Sequence, residues 1–256
     1  MRRIKLTVAY DGTDYCGWQI QPNGITVEEV LNRALSRLTG EDIRVIGASR
    51  TDAGVHARGN VAVFDTESAI PPKRFSYAVN PLLPEDVVVT DSKEVPESWH
   101  PRYQNSVKTY EYHILNREMP DPLRRRDTWH VSFPLDLDSM RKAADYLIGE
   151  HDFRSFCSAH TGVKTTVRTI YELQIEKTGS LITIRIKGNG FLYNMVRIIA
   201  GTLTEVGRGF RTPEDVRNVL EAGDRDQAGA TAPARGLILM SIVTHSKFLD
   251  FYTEYC

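Results

Sequence analysis

Polar and apolar residues alternate over residues 4–10, which sends successive side chains to opposite faces and predicts a first strand, ended by Asp11-Gly12. Val30, Leu31, Ala34, Leu35 and Leu38 then recur at helical spacing. Thr26-Val27-Glu28-Glu29 ahead of them has the form of a capping box, in which the threonine hydroxyl and the Glu29 carboxylate each satisfy a free backbone N–H; Gly40 suits the stop. Ile43, Val45 and Ile46, and later Val61, Ala62, Val63 and Phe64, predict two strands with a polar loop, residues 47–57, between them. Pro71-Pro72 opens a second helix through Ala78, because proline suits a first turn. Asn80-Pro81-Leu82-Leu83-Pro84 breaks it, and residues 87–89 read as a buried strand. This β-α-β-β-α-β-like order predicts helices packed on one face of a mainly antiparallel sheet.

Residues 96–104 are the best place for a boundary, giving an N-terminal half, 1–104, and a C-terminal half, 105–256. The second half opens with a strand over 107–115, where Thr109, Glu111 and His113 alternate with Lys108, Tyr110, Tyr112 and Ile114. Residues 116–127 are polar and contain proline, and read as a loop. A helix over 138–148 ends at Gly149, and strands follow at 165–176 and 181–187. Gly188-Asn189-Gly190 separates the latter from a helix with Leu192, Met195, Val196, Ile199 and Leu203 on its apolar face. Thr212-Pro213-Glu214-Asp215 starts another helix, and 237–243 is a final strand.

Composition narrows the function classes. The 256 residues, 41% hydrophobic and 25% charged, suffice for one large domain or two smaller ones with their own cores. No apolar run approaches the ~20 residues of a membrane span, and the basic start leads into a strand pattern, not a signal peptide. Cys16, Cys157 and Cys256 are far apart and odd in number, and no Cys-x-x-Cys pair offers a zinc or redox site. The expectation is a reduced cytoplasmic protein without a structural metal. A net charge of −1 argues against coating nucleic acid through overall charge, but a local basic cleft suffices for RNA. Arg2, Arg3 and Lys5, Arg124 to Arg126, and Lys164 with Arg168 are basic clusters, each either a solvated surface or an RNA contact.

The candidate chemistry gathers in Gly47-Ala48-Ser49-Arg50-Thr51-Asp52-Ala53-Gly54-Val55-His56-Ala57, with Arg58 just beyond. A loop between two strands holds a polar group on a rigid scaffold, and Gly54 tolerates the backbone angles of a tight turn. The residues alone leave three readings of Asp52 open. It is a turn former whose carboxylate bonds local backbone, half of a two-aspartate site whose second turn is not found, or a single catalytic carboxylate.

Several segments, in order along nearly the whole chain, resemble one family. Arg50-Thr51-Asp52-Ala53-Gly54-Val55-His56 is similar to the signature of the tRNA pseudouridine synthase A family. Tyr10-Asp11-Gly12, Tyr15, Gly17-Trp18-Gln19 and Gln21 resemble its opening segment, and Lys108-Thr109-Tyr110-Glu111-Tyr112 its tyrosine strand. Asp152-Phe153-Arg154-Ser155-Phe156, Phe191-Leu192-Tyr193-Asn194-Met195-Val196-Arg197 and Ala232-Pro233-Ala234-Arg235-Gly236-Leu237 resemble three more.

The resemblance implies an α+β fold: two similar α/β halves, mainly antiparallel sheets joined across a central basic cleft, with helices on the outer faces. It implies an isomerase converting uridines 38, 39 and 40 of the tRNA anticodon stem-loop to pseudouridine, without cofactor or metal. Its partners are tRNA and a second copy in a homodimer, with no membrane. Asp52 is then the catalytic carboxylate, a nucleophile at C1′ or a stabiliser of positive charge on the ribose, or else the base that removes the 2′ proton. Arg197 is its charge partner, otherwise a helix-surface arginine. Tyr110 lies against the base, otherwise strand core. Arg50, Arg58 and Lys108 contact RNA, Leu237 packs on the uracil, and His56 braces the loop. Ser49 stands where the family usually has glycine, and Lys108 where arginine is frequent, which keeps charge but loses bidentate geometry. Two other classes stay open: a catalytically silent tRNA-binding or folding module, and a glycoside hydrolase, which needs a second carboxylate across the cleft.

Overall fold

In the computed structural model, which describes residues 1–158 and 163–244, strand β1 (Arg2–Tyr10) buries Ile4, Leu6, Val8 and Tyr10 on one face. Cys256 lies outside the described residues. Helix α1 (Val27–Thr39), β2 (Ile46–Gly47), β3 (His56–Thr66), α2 (Phe75–Val79) and β4 (Val87–Val95) follow. β1 runs between β3 and β4, antiparallel to both. The register sets Ile4 opposite Phe64 and Leu6 opposite Ala62, so the buried faces coincide. Phe64 meets Phe75 of α2 edge to face at 5.3 Å, which marks this as the helix-covered face.

Helix α1 forms chiefly because it buries Val27, Leu31, Ala34 and Leu35. A fully buried leucine contributes about 1.5–3 kcal/mol over an exposed one, against about 1 kcal/mol for a cap. The expected capping box is half made. Thr26 Oγ1 accepts from Glu29 N at 3.3 Å, but the Glu29 carboxylate turns to Arg33 one turn along. Gly40 ends the helix at φ 76°. The strand expected from Ile43 shrinks to β2. Ile43 N donates to Ser36 Oγ and Val45 N to Asn32 Oδ1, so α1 side chains take the donors a strand would use. The second helix is a 3₁₀ turn, Pro72–Arg74, leading into α2.

Beyond these elements come β5 (Ser106–Asn116), β6 (Trp129–Val131), α3 (Leu137–Asp145), β7 (Gly149–Asp152), β8 (Val167–Thr178), β9 (Leu181–Gly188), α4 (Met195–Gly207), α5 (Pro213–Ala222) and β10 (Leu237–Thr244). The antiparallel order β5-β9-β8-β7 puts Tyr110 opposite Ile186 and Tyr112 opposite Ile184. β6 and β7, absent from the sequence pattern, are too short to show a period. β6 pairs parallel to β5, and β7 antiparallel to β8. α3 starts at Leu137 because Asp136 Oδ1 accepts from Asp138 N and Ser139 N. It stops at Asp145, three residues short of the expectation. α4 starts at Met195, not Leu192, because Asn194 takes a left-handed φ of 61° that no helix continues. At α5 a complete capping box joins Thr212 and Asp215.

The chain makes two compact units: Met1–Ser106 with the chain from Leu239, and Val107–Ile238. The sequence reading puts one boundary at 96–104; the chain enters the second unit at Val107 and returns to the first at Leu239. Mixed helices and antiparallel strands in each make the fold α+β. Among the described residues no helix is long and apolar enough to cross a membrane, and no group of three or more His, Cys, Asp or Glu could hold a metal ion.

Candidate active site

Asp52 opens a tight turn in the first unit. Val55 N donates to the Asp52 carbonyl at 3.1 Å, and Gly54 takes φ 76°, a conformation that strains any other residue. The turn hangs on residues 15–18. Trp18 N donates to Thr51 O at 3.0 Å, and Gly54 N donates to Tyr15 O at 3.3 Å. Gly17 passes between these bonds at φ 85°. A Cβ there would lie 2.6 Å from Thr51 O and 3.2 Å from Ala53 N.

Buried polar groups back the loop. The Tyr10 hydroxyl and Thr51 Oγ1 bond at 2.7 Å. Asn60 Nδ2 donates to the Tyr10 oxygen at 3.3 Å and to Ser49 O at 3.1 Å. Satisfied networks of this kind, shielded from water, are stiff. Thr51, Val55 and His56 are buried while Asp52 is only half-buried, so Asp52 is more accessible than those three. His56 Nδ1 accepts from Gly12 N at 3.0 Å and lies 3.1 Å from Asp11 Oδ1. It braces the loop against the end of β1.

Arg50 and Arg58 are exposed, and their side chains make no hydrogen bond or ion pair among the described residues. Arg102 Nε donates to Gly47 O at 2.9 Å, at the start of the same loop. Burial, and next the charge of Arg50, push its pKa below the ordinary arginine value. Of the basic clusters, Arg3 is engaged with Asp65 and the carbonyls of Glu97 and Trp99, and Arg124 with Asp127. Arg168 is turned to the carbonyls of Thr165 and Val167. These arginines serve local structure.

Tyr110, Lys108, Arg197 and Leu237 belong to the second unit. On β5, Tyr110 and Tyr112 share a face, and Tyr110 meets Phe191 edge-on at 5.2 Å. Tyr110 is buried, and Lys108, two residues before it, is half-buried. Tyr112 donates to Pro233 O at 2.8 Å. Burial pushes its ionisation far above the tyrosine norm, against the opposing charges of Arg197 and Arg235. On the other face Glu111 is buried against Arg185 and His113. Burial opposes its ionised form, yet bonds from those two hold its pKa below the usual carboxylate value. Leu237 is buried at the start of β10.

Arg197 stands on the first turn of α4, where the helix dipole adds positive potential. Its Nε donates to Ala232 O at 2.8 Å, and a terminal nitrogen donates to Asn194 Oδ1 at 2.7 Å. Asn194 Nδ2 in turn donates to Ser158 Oγ at 2.9 Å. Its left-handed backbone turns the side chain to Arg197 instead of capping the helix. In the sequence Tyr10 and Asn194 stand out only as members of the family-like segments, and Asn60 and Arg102 lie outside them. The one available signal was an asparagine, Asn60, set in an apolar strand run.

A family model described as tRNA pseudouridine synthase matches residues 6–104 and 143–243. The tRNA pseudouridine synthase A of Brevibacillus brevis is 52% identical over 243 residues, covering 95% of this chain and 100% of that protein. The protein of that name in Thermoanaerobacter pseudethanolicus is 49% identical over 243 residues, covering 95% and 100%. The one in Citrifermentans bemidjiense is 48% identical over 248 residues, covering 96% and 99%. Family model and relatives span the aspartate loop and the Arg197 segment alike, and the chain belongs to the tRNA pseudouridine synthase family of isomerases.

Proposed function

We propose that this protein converts uridines 38, 39 and 40 of the tRNA anticodon stem-loop to pseudouridine, with Asp52 as the catalytic carboxylate. The observation that carries the assignment is a half-buried aspartate on a turn whose backbone is held by Tyr15, Trp18 and the close passage of Gly17. A group used in chemistry must be held in place while its functional atoms stay reachable.

The isomerisation breaks the N1–C1′ bond and forms C5–C1′; C5 gives up a proton and N1 gains one. Atoms and oxidation level balance within the substrate, so no external reductant or oxidant is consumed. An ionised Asp52 attacks C1′ or stabilises positive charge developing there, or else it removes the 2′ proton to give a glycal. Arg197, held at two points, is the fixed cation that keeps a carboxylate ionised. The Tyr110 ring is the aromatic platform for the uracil, and Leu237 an apolar contact to it. Arg50, Arg58 and Lys108 take phosphates. Action in the cytoplasm and as a homodimer belong to the same proposal.

The test is pseudouridine mapping on an unmodified tRNA with uridine at all three positions, incubated with wild type and Asp52→Asn. Conversion by wild type and none by the variant is the expected result. A wild type that binds tRNA and converts no uridine would leave only a binding module.

A further inference from the structure

We propose that Arg102 and Tyr103, with Arg50, form a second-nucleotide site in the first unit, in which the two guanidinium groups take one RNA phosphodiester and the Tyr103 ring stacks on an unpaired base beside it. The inference rests on the tRNA reading above and adds to its Arg50 two residues that reading does not use, Arg102 and Tyr103.

The segment carrying the site is buttoned down. Arg3 donates to the carbonyls of Glu97 and Trp99, and Lys5 lies 5.2 Å from the centre of the Trp99 ring. Arg102 N donates to His100 Nδ1 at 3.2 Å, and Arg102 Nε donates to Gly47 O. Two side chains are left pointing outward from this frame. Tyr103 is 83% exposed, yet its ring is not loose. It stacks on His100 with centroids 4.2 Å apart and planes 20° apart. Burial first, then Arg102 and Arg3, lower the His100 pKa, so the backing ring is neutral near pH 7. A tyrosine held on one face presents the other already oriented, which reduces the entropy cost of stacking.

Charge points to the second half of the ligand. Three arginines of this unit pair with carboxylates, Arg3 with Asp65, Arg33 with Glu29 and Arg44 with Asp42. Arg50 and Arg102, like Arg58, have no such ion pair among the described residues; Arg102 is bonded to Gly47 O, three residues before Arg50 in the same loop, and the charge of Arg50 lowers its pKa. Glu28 and Tyr103 favour the charged form of Arg102 but do not offset its burial and the charge of Arg50. Two cations placed together are relieved by an anion with several acceptor oxygens. A phosphodiester next to a flat aromatic platform is the chemistry of a polynucleotide strand. A free phosphate would leave the ring unused.

The experiment is equilibrium binding of labelled, unmodified tRNA to full-length protein across a salt series, with thermal melting to verify folding. Arg102→Gln should weaken binding about tenfold and lower the slope of log Kd against log salt by about one. Arg102→Lys should keep the slope, since charge sets it. Tyr103→Ala should weaken binding about tenfold with no change of slope, and Tyr103→Phe should restore it. Wild-type affinity and slope in both Arg102→Gln and Tyr103→Ala would overturn the proposal. So would unchanged tRNA affinity with an altered sedimentation coefficient, which would assign the surface to a protein contact. Should Arg102→Gln unfold, the two Tyr103 variants decide, because that side chain is exposed. A wild type that binds tRNA yet makes no pseudouridine sinks the proposed function and leaves this binding result standing.

Discussion

Gly17 passes so close to Thr51 that a single added methyl carbon would lie 2.6 Å from the threonine carbonyl oxygen. The neighbouring Trp18 N–H donates to that same oxygen at 3.0 Å. The start of the chain and the aspartate turn therefore fit only while residue 17 lacks a side chain. Gly17→Ala meets both the clash and a φ of 85°, and is expected to cost about 1–3 kcal/mol of stability. Moving the turn aside by about an ångström should cut pseudouridine formation roughly a hundredfold. Thermal unfolding and initial rates on tRNA check this; wild-type values in both would mean the clamp is not needed.

Asp52→Asn keeps the size of the side chain and removes its charge. Pseudouridine formation should fall by about a thousandfold or more, with tRNA affinity within about threefold of wild type, because the lost interaction acts in the transition state. Rate and Kd measured on one preparation decide it, and retained turnover would remove Asp52 from the chemistry.

Tyr10→Phe deletes the hydroxyl that Thr51 and Asn60 share. Buried partners left without a bond cost about 1–3 kcal/mol. The urea midpoint should drop while the m-value stays constant. An unchanged midpoint would show that the network does not stabilise the loop.

Arg197→Lys keeps the charge and loses the fork that engages Ala232 O and Asn194 Oδ1 at once. Turnover should fall at least tenfold while the protein stays folded. Full activity would show that a mobile point charge suffices at this position.

Glu111 sets an acid dependence. Its folded pKa lies below the ordinary 4.5, so the stabilisation from Arg185 and His113 is fully present above that value and is lost as pH falls through the folded one. Arg185 is exposed, so the contribution is small, about 1 kcal/mol or less. Glu111→Gln should be less stable than wild type at about pH 7, and the difference should be smaller at about pH 3.5. Urea unfolding at both values checks this, and a difference that grows in acid would contradict it.

Period and punctuation made much of the fold legible. β1, β5 and β9 alternate, α1 carries a stripe, and Thr212 with Asp215 announces α5. What failed was set by partners elsewhere. Residues 43–45 look like a strand, but two of their N–H groups go to side chains of α1. α4 starts late because Asn194 adopts a conformation that composition does not announce. The loop carrying Asp52 was legible from its flanking apolar runs. Its clamp was not, because Tyr10 and Asn60 meet across 50 residues of sequence and Gly17 shows its role only against Thr51.

The three main-chain bonds at the turn, Trp18 to Thr51, Gly54 to Tyr15 and Val55 to Asp52, owe nothing to the side chain at position 52. The turn is in that sense a socket. Its form resides in peptide groups, two glycines and the Tyr10, Thr51 and Asn60 contacts behind it, and the proposed reactive group projects from that mount. A series at this one position, with glutamate, asparagine or cysteine in place of Asp52, would present different functional groups from the same mount. Their reactivities could then be compared without redesigning what surrounds them.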